Sequence, residues 1–115
     1  MLMESTRQKK VSRLLQRELA EILRQKTPEL ARGKMITVTT VRVSPDLALA
    51  KIYLSIFPSD NSDHILGSIT DHTPRIRNEL AIKIRNQLRI IPEIAFYLDD
   101  SLDYIDNIDS LLNKD

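Results

Sequence analysis

The chain has 115 residues, of which 42% are hydrophobic, with 17 basic side chains, 16 acidic side chains and no cysteine. This length and apolar content suit one compact domain, and the lack of cysteine excludes disulfides and thiolate metal ligands. No apolar run approaches the roughly 18 residues of a membrane span, and the first residues lack the pattern of an export signal, so we expect a soluble, cytoplasmic protein with no membrane partner.

The net charge of +1 hides an uneven distribution along the chain. Residues 99–115 contain six aspartates and one lysine, which gives this tail a charge of −5 and leaves +6 on residues 1–98. A basic body favours a polyanionic partner such as RNA or DNA, although divided charge can also serve solubility or self-association.

A first amphipathic helix is predicted from a cap at Ser5 or Thr6 to about Gln25. Its apolar residues recur every three or four positions, at 11, 14, 15, 19, 22 and 23. The opposite face is basic and carries Lys10, Arg13, Arg17 and Arg24. Such a face is often only solvated, but a second basic helix later in the chain favours a binding role.

A β-hairpin is predicted next. Its first strand, Met35 to Val43, is rich in β-branched residues, and a shift in its apolar phase indicates a bulge near Thr39-Thr40. After a turn, a second strand runs from about Ala48 to Phe57, with one face formed by Lys51, Tyr53 and Ser55. Tyr53 could lie on the open face of the sheet, but we interpret it as a half-buried structural residue. The chain has few aromatic residues on which unpaired bases could stack, which favours contacts with the RNA backbone over the reading of sequence.

The second basic helix follows a short helix predicted at His64 to Thr70. It is predicted to begin at Pro74, with Thr73 or Asp71 as its cap, and to stop at Pro92. Its cations are Arg75, Arg77, Lys83, Arg85 and Arg89. At about 100° per residue, three of these fall opposite the apolar stripe, where a phosphate backbone would meet them together: Arg75, Arg85 and Arg89.

The predicted RNA-binding residues therefore come from both basic helices: Lys10, Arg13, Arg17, Arg75, Arg77, Lys83, Arg85 and Arg89. Ile82 lies among the cations of the second helix. It indicates either a local bend or an apolar contact with a partner.

A third strand is predicted at Ile94 to Leu98, where apolar residues alternate with others. The acidic residues that follow, Ser101 to Leu112, have the spacing of a short amphipathic helix. This helix could dock on the sheet, pair with another copy or stay loose, and its negative charge argues against contact with RNA. We therefore divide the chain into a domain at residues 1–100 and an acidic tail at 101–115.

The predicted order of helix, strand, strand, helix, helix, strand is that of the type II KH domain, an α+β RNA-binding module with helices on one face of a three-stranded sheet. Several segments, in sequence, match one bacterial family within this class. They are LLQREL at 14–19, VRVSPDL at 41–47, AKIYLS at 50–55, IRNELA at 76–81 and FYLDDS at 96–101. On these residues the chain resembles the ribosome-binding factor A family of small-subunit assembly factors over nearly its whole length.

Most KH domains hold the nucleic-acid backbone with a GxxG loop. This sequence cannot contain one, because its two glycines are Gly33 and Gly67. The family that it resembles replaces the loop with a kinked helix, and the corresponding positions here are His72-Thr73-Pro74. The resemblance implies a helix break at this point, since proline prevents the preceding helix from continuing.

The resemblance also implies a function. Members of the family are non-catalytic assembly factors that bind the immature 30S subunit, contact rRNA near the 5′-terminal helix, assist late rRNA maturation and matter most at low temperature. Clustered cations agree with this, because they release counterions from phosphates. We expect no cofactor, no metal and no small-molecule substrate, and we expect a monomer.

Two alternatives stay open. His64 and His72, with aspartates nearby, could form a metal or acid–base site, although loop and helix-cap roles explain such residues more simply. The stronger alternative is a protein-interaction or self-association module that uses Ile82 and the acidic amphipathic tail, while the basic helices are merely solvated.

Overall fold

A computed structural model of the chain describes residues 5–31 and 33–99. Its elements are, in order, α1 (Thr6–Leu30), β1 (Met35–Val43), β2 (Leu49–Phe57), α2 (Ser62–Asp71), α3 (Thr73–Ile84) and β3 (Glu93–Leu98). The predicted α+β, type II KH-like order is confirmed. The acidic tail lies outside the described residues, so its helix and the domain division at residue 100 stay predictions.

The three strands form one sheet in the order β1-β2-β3. β1 pairs with β2 in antiparallel fashion, whereas β3 runs parallel to β2, and the two helices α2 and α3 form the connection between them. The register shifts between Val38 and Thr40, which confirms the predicted bulge. Side chains from the helices and from alternate strand positions form one core, whose fully buried members include Leu15, Leu19, Leu23, Ile52, Leu54, Ile69, Ile76, Leu80 and Ile84.

A capping box fixes the start of α1. The Ser5 hydroxyl accepts from the Gln8 backbone N–H at 3.1 Å, while the Gln8 side-chain oxygen accepts from the Ser5 N–H at 2.8 Å. The two side chains thus accept from backbone N–H groups of Ser5 and Gln8, which have no partner within the helix at its start. The Gln8 amide nitrogen also donates to the Val43 carbonyl at 2.9 Å, which ties the first turn of α1 to the end of β1.

The far end of α1 lies beyond the predicted limit of about Gln25, because the helix continues through Pro28. A proline in the last turn removes a single backbone hydrogen bond, and the Thr27 hydroxyl donates to the Leu23 carbonyl at 2.7 Å beside it. None of the described helices, including the 25-residue α1, combines the length and the apolar content that are needed to span a membrane.

The second basic helix is shorter than predicted. It was expected to reach Pro92, but α3 ends at Ile84, and residues 85–92 form a turn followed by irregular chain. The reason is topological: β3 must begin beside the start of β2, where the Glu93 N–H donates to the Ala48 carbonyl at 2.8 Å. Seven more helical residues would carry the chain about 10 Å along the helix axis instead of returning it there.

Candidate nucleic-acid interface

The two basic helices lie side by side and run in opposite directions. Lys26 of α1 forms an ion pair with Glu79 of α3 at 3.1 Å. Further along, the pKa of the Glu21 carboxyl is below its ordinary value, chiefly because Arg24 donates to it and to a smaller extent because Lys83 of α3 is close. As residue numbers fall along α1 they rise along α3, so the helices are antiparallel.

Most of the predicted RNA-binding side chains are exposed on the outside of this helix pair. They are Lys10, Arg13 and Arg17 from α1, Arg75 and Lys83 from α3, and Arg85 and Arg89 from the segment after α3. In α1 these positions lie opposite the buried stripe, as the helical period requires. Extrapolation of the Lys26–Glu79 and Glu21–Lys83 contacts along the two helices places Arg17 and Arg85 at about the same level of the pair.

Several of these cations have no acidic partner among the described residues. Neither a hydrogen bond nor an ion pair within residues 5–31 and 33–99 holds Lys10, Arg13, Arg75, Arg85 or Arg89. Arg17 differs, because its Nε lies 3.3 Å from the Glu18 carboxylate with the arginine side chain 71% exposed. An exposed pair of this kind contributes about 0–1 kcal/mol, so a phosphate can replace Glu18.

Arg77 occupies a different position from the other predicted residues. Its Nε donates to the Pro92 carbonyl at 3.0 Å and its Nη2 donates to the Ile91 carbonyl at 2.7 Å. The guanidinium thus fastens α3 to the chain that leads into β3, and the residue is half-buried. Its placement in the structure is that of a brace for the fold.

Arg89 is not on α3, so the expected alignment of Arg75, Arg85 and Arg89 on one helical face was wrong. Instead, Arg89 lines a cavity of about 270 Å³ together with Arg7, between the first turns of α1 and the 44–47 turn. Asp46 also lines this cavity. The turn segment therefore brings Arg89 beside the N-terminal end of α1, which extends the basic surface to that end of the helix pair.

Ile82 projects from a regular part of α3 with 60% of its surface exposed. The helix is continuous through this residue, and both alternatives, a local bend and a contact with a partner, stay predictions. The helix break predicted at His72-Thr73-Pro74 is confirmed, because His72 separates α2 from α3, and its Nδ1 lies 2.7 Å from the Ser68 carbonyl. This contact gives His72 a role at the helix end. The cap predicted at Thr73 or Asp71 was wrong, since α3 begins at Thr73 and its N-cap is His72.

Across the described residues, no cluster of histidine, aspartate and glutamate has the geometry of a metal site. His64 is exposed in the first turn of α2. It takes no part in the contact that His72 makes at the other end of that helix.

The comparison with known proteins decides the family. A family model described as "Ribosome-binding factor A" matches residues 7–112. A protein named ribosome-binding factor A from Cytophaga hutchinsonii is 47% identical over 112 residues, which are 97% of this chain and 84% of that protein. The chain belongs to the ribosome-binding factor A family.

A crystal structure and a fitted homology model, both of ribosome-binding factor A from Thermus thermophilus, are similar to this family member. A crystal structure matches with a TM-score of 0.64 and 25% identity, covering 79% of this chain and 94% of that one. A second set of coordinates, fitted into a cryo-electron microscopy map of a complex with the 30S subunit, has a TM-score of 0.59 and 26% identity and covers 76% of this chain and 89% of that one.

Sequence reasoning missed two parts of the basic surface of this family member. Arg7 was omitted, although it shares α1 with the predicted cations. Arg42 and Lys51 were also omitted, and both are exposed on the sheet. The alternation of β2 and the predicted bulge in β1 place Lys51 and Arg42 opposite the apolar residues of their strands, but that the two cations are direct partners required the strand register.

Proposed function

We propose that this protein is a non-catalytic assembly factor of the small ribosomal subunit, and that it acts in the cytoplasm. It binds the immature 30S particle through rRNA near the 5′-terminal helix and assists late rRNA maturation. The observation that carries the proposal is family membership over nearly the whole chain, together with a helix pair on which several outer cations, among them Arg13 and Arg85, have no acidic partner in the described residues. The 30S complex of the Thermus thermophilus relative supports the choice of partner.

The outer helical surface suits a phosphate backbone. Arg13, Arg17 and Arg85 are exposed on antiparallel neighbours that are joined by the Lys26–Glu79 pair. A rigid pair of helices holds these charges at fixed separations, so binding requires little ordering of the backbone. Structured RNA is recognised largely by shape and by its phosphates, and this surface offers cations with few aromatic groups. The interface is therefore expected to grip folded rRNA without reading its sequence.

The test is a paired charge reversal. The double variant Arg13→Glu and Arg85→Glu is compared with a matched control that keeps both charges, Arg13→Lys and Arg85→Lys. Binding to purified immature 30S particles is measured over a series of salt concentrations. Each lost phosphate contact should make the dependence of log affinity on log salt shallower by about one unit. We expect the reversed variant to lose association and the lysine variant to keep most of it.

Three further measurements complete the test. Far-ultraviolet circular dichroism and urea unfolding of both variants establish that the fold is intact. Crosslinking of the wild-type protein to 30S particles, followed by mapping of the joined nucleotides, should place contacts near the 5′-terminal helix. Retained, salt-insensitive binding of the reversed variant would refute the proposal and favour a protein-interaction module acting through Ile82 and the acidic tail.

A further inference from the structure

The face of the sheet that points away from the helices is uncovered in the described part of the chain. Along β1 and β2 the residues that face the core are buried, and the alternate residues are exposed or half-buried. The bulge at residue 39 reverses the phase of β1, so Arg42 lies on the open face between two buried valines. Without that extra residue, the period of two would point Arg42 into the core.

Two cations stand directly opposite each other on this open face. Arg42 and Lys51 are register partners across the antiparallel pair, and both are exposed. Like charges at directly opposed positions destabilise a sheet. Neither side chain has a carboxylate partner within the described residues, and Glu93, the single acidic residue of the three described strands, is paired in register with Leu49. The fold thus keeps an unfavourable pair that an added anion would relieve.

Two aromatic rings lie immediately beside these cations. Tyr53 is two residues from Lys51 on the same face of β2, a separation of about 7 Å. Tyr53 is in register with Tyr97 of β3, and their rings stack with centroids 5.6 Å apart and an interplanar angle of 29°. Tyr97 is 42% exposed. The sequence-based interpretation of Tyr53 as half-buried is confirmed, but the tyrosine belongs to an exposed aromatic pair.

We propose that this open sheet face is a second RNA-binding surface, which takes an unpaired strand while the helices on the other face hold folded RNA. Arg42 and Lys51 bind phosphates of that strand, and a nucleobase stacks on the exposed side of the Tyr53–Tyr97 pair. The cations and Tyr53 line one shallow groove of about 500 Å³, which continues to Leu49 at the start of β2. That RNA is the natural ligand rests on the proposed function, whereas the surface itself rests on the sheet.

The chemistry of the face favours an unpaired strand over a duplex. A duplex hides its bases from stacking and presents mainly phosphates and sugars, so the exposed tyrosines would add nothing to its binding. An unpaired strand offers both π-faces and phosphates, which suit the ring of Tyr53 and the cation of Lys51 beside it on β2. A protein partner would need acidic side chains to neutralise Arg42 and Lys51. Such a partner would be indicated if variants of this face lost 30S particles but still bound an unpaired RNA.

The test compares two labelled RNAs in fluorescence anisotropy, an unpaired oligouridine of about ten nucleotides and a stable hairpin. Lys51→Glu removes one cation and places a carboxylate opposite Arg42. Tyr97→Leu keeps an apolar side chain but removes the ring, and Arg85→Glu makes the same change of charge on the helical side. Because the chain has no tryptophan, the quenching of tyrosine emission by the oligouridine reports stacking directly.

We expect Lys51→Glu and Tyr97→Leu each to weaken oligouridine binding about tenfold or more and to leave hairpin binding nearly unchanged. Lys51→Glu should also be more stable in urea than the wild type, because it replaces opposed like charges with an opposed ion pair. A variant that folds better and binds worse cannot owe its loss to misfolding. Tyr97→Leu should abolish most of the quenching without changing the salt dependence.

Arg85→Glu should show the reverse preference, weakening the hairpin more than the oligouridine. The proposal is overturned if the sheet variants bind oligouridine as the wild type does, or if Arg85→Glu weakens it equally. It is also overturned if the sheet variants lose 30S particles but not oligouridine, since the face would then bind a ribosomal protein. Failure of the helical variants in the 30S assay concerns the proposed function alone, so the two failures are distinguishable.

Discussion

Arg77 and Arg75 are two residues apart on α3, yet the structure predicts opposite consequences for their loss. Arg77 donates to two backbone carbonyls, of Ile91 and Pro92, from a half-buried position. Arg75 is exposed and has no hydrogen bond or ion pair with a described residue. Both carry the same charge, so substitution by glutamine changes the net charge equally in each case. Arg77→Gln should damage the fold, and Arg75→Gln should damage binding.

The expected magnitude for Arg77→Gln follows from its two hydrogen bonds. A hydrogen bond from a charged donor contributes about 1.5–3 kcal/mol, and water can reach part of this site, so we expect a loss of about 2 kcal/mol in the free energy of unfolding. Glutamine cannot replace the two parallel donors of the guanidinium, and neither can lysine. With an m value of about 1–1.5 kcal/mol/M in urea, the midpoint should fall by more than about 1 M.

The same two variants are then compared for RNA binding under conditions in which both remain folded. Arg75→Gln should change stability by less than about 0.5 kcal/mol and should make the salt dependence of binding shallower by about one unit. Arg77→Gln should leave that slope unchanged. Equal urea midpoints for the two variants would show that the carbonyl contacts of Arg77 contribute nothing to the fold. A shallower slope for Arg77→Gln would show that Arg77 is a phosphate ligand.

Two further predictions concern stability. The Ser12 hydroxyl is buried in α1 without a hydrogen-bond partner among the described residues. Ser12→Ala should therefore raise the free energy of unfolding, measured in urea, by about 0.5–1.5 kcal/mol. A loss of stability would show that the hydroxyl forms a hydrogen bond in the folded protein. Lys34 donates to Asp60 at 2.8 Å and holds the pKa of that carboxyl below its ordinary value. A carboxyl with a pKa lowered by folding stabilises the protein above about pH 4 and loses this effect as the pH falls through its folded pKa. Asp60→Asn should therefore lessen the drop in Tm on acidification. Identical dependence of Tm on pH in the variant and the wild type would contradict the reasoning.

The sequence predicted the elements of this fold wherever a local period was sufficient. The stripe of α1, the alternation of β2 and the phase shift at Thr39 each record which side of an element is buried, and the structure confirms all three. The cap of α1 was predicted at Ser5 or Thr6, and the structure places it at Ser5, whose partner Gln8 is only three residues away. These signals work because the burying surface and the helical or strand period are both properties of a short segment.

The errors arose where the decisive contact is distant in sequence. The apolar period of residues 76–91 continues smoothly past Ile84, so nothing local shows that the helix must end there for β3 to reach Ala48. Arg77 has the spacing of a surface cation, and its two carbonyl partners lie 14 and 15 residues away. Likewise, the opposition of Arg42 and Lys51 exists only in the register of the hairpin.

The distribution of ion pairs explains why the outer cations remain available. The acidic partners in the described residues mostly serve cations next to them or between elements: Glu21 pairs with Arg24, Glu79 with Lys26 and Asp60 with Lys34. The Lys26 side chain is 12% exposed and that of Glu79 is 42% exposed, so salt screens this pair less than it screens the exposed arginines, although not negligibly. Rising salt should therefore release RNA from the helix pair well before it separates α1 from α3, because the charges that bind the polyanion and the charges that join the helices occupy different dielectric surroundings.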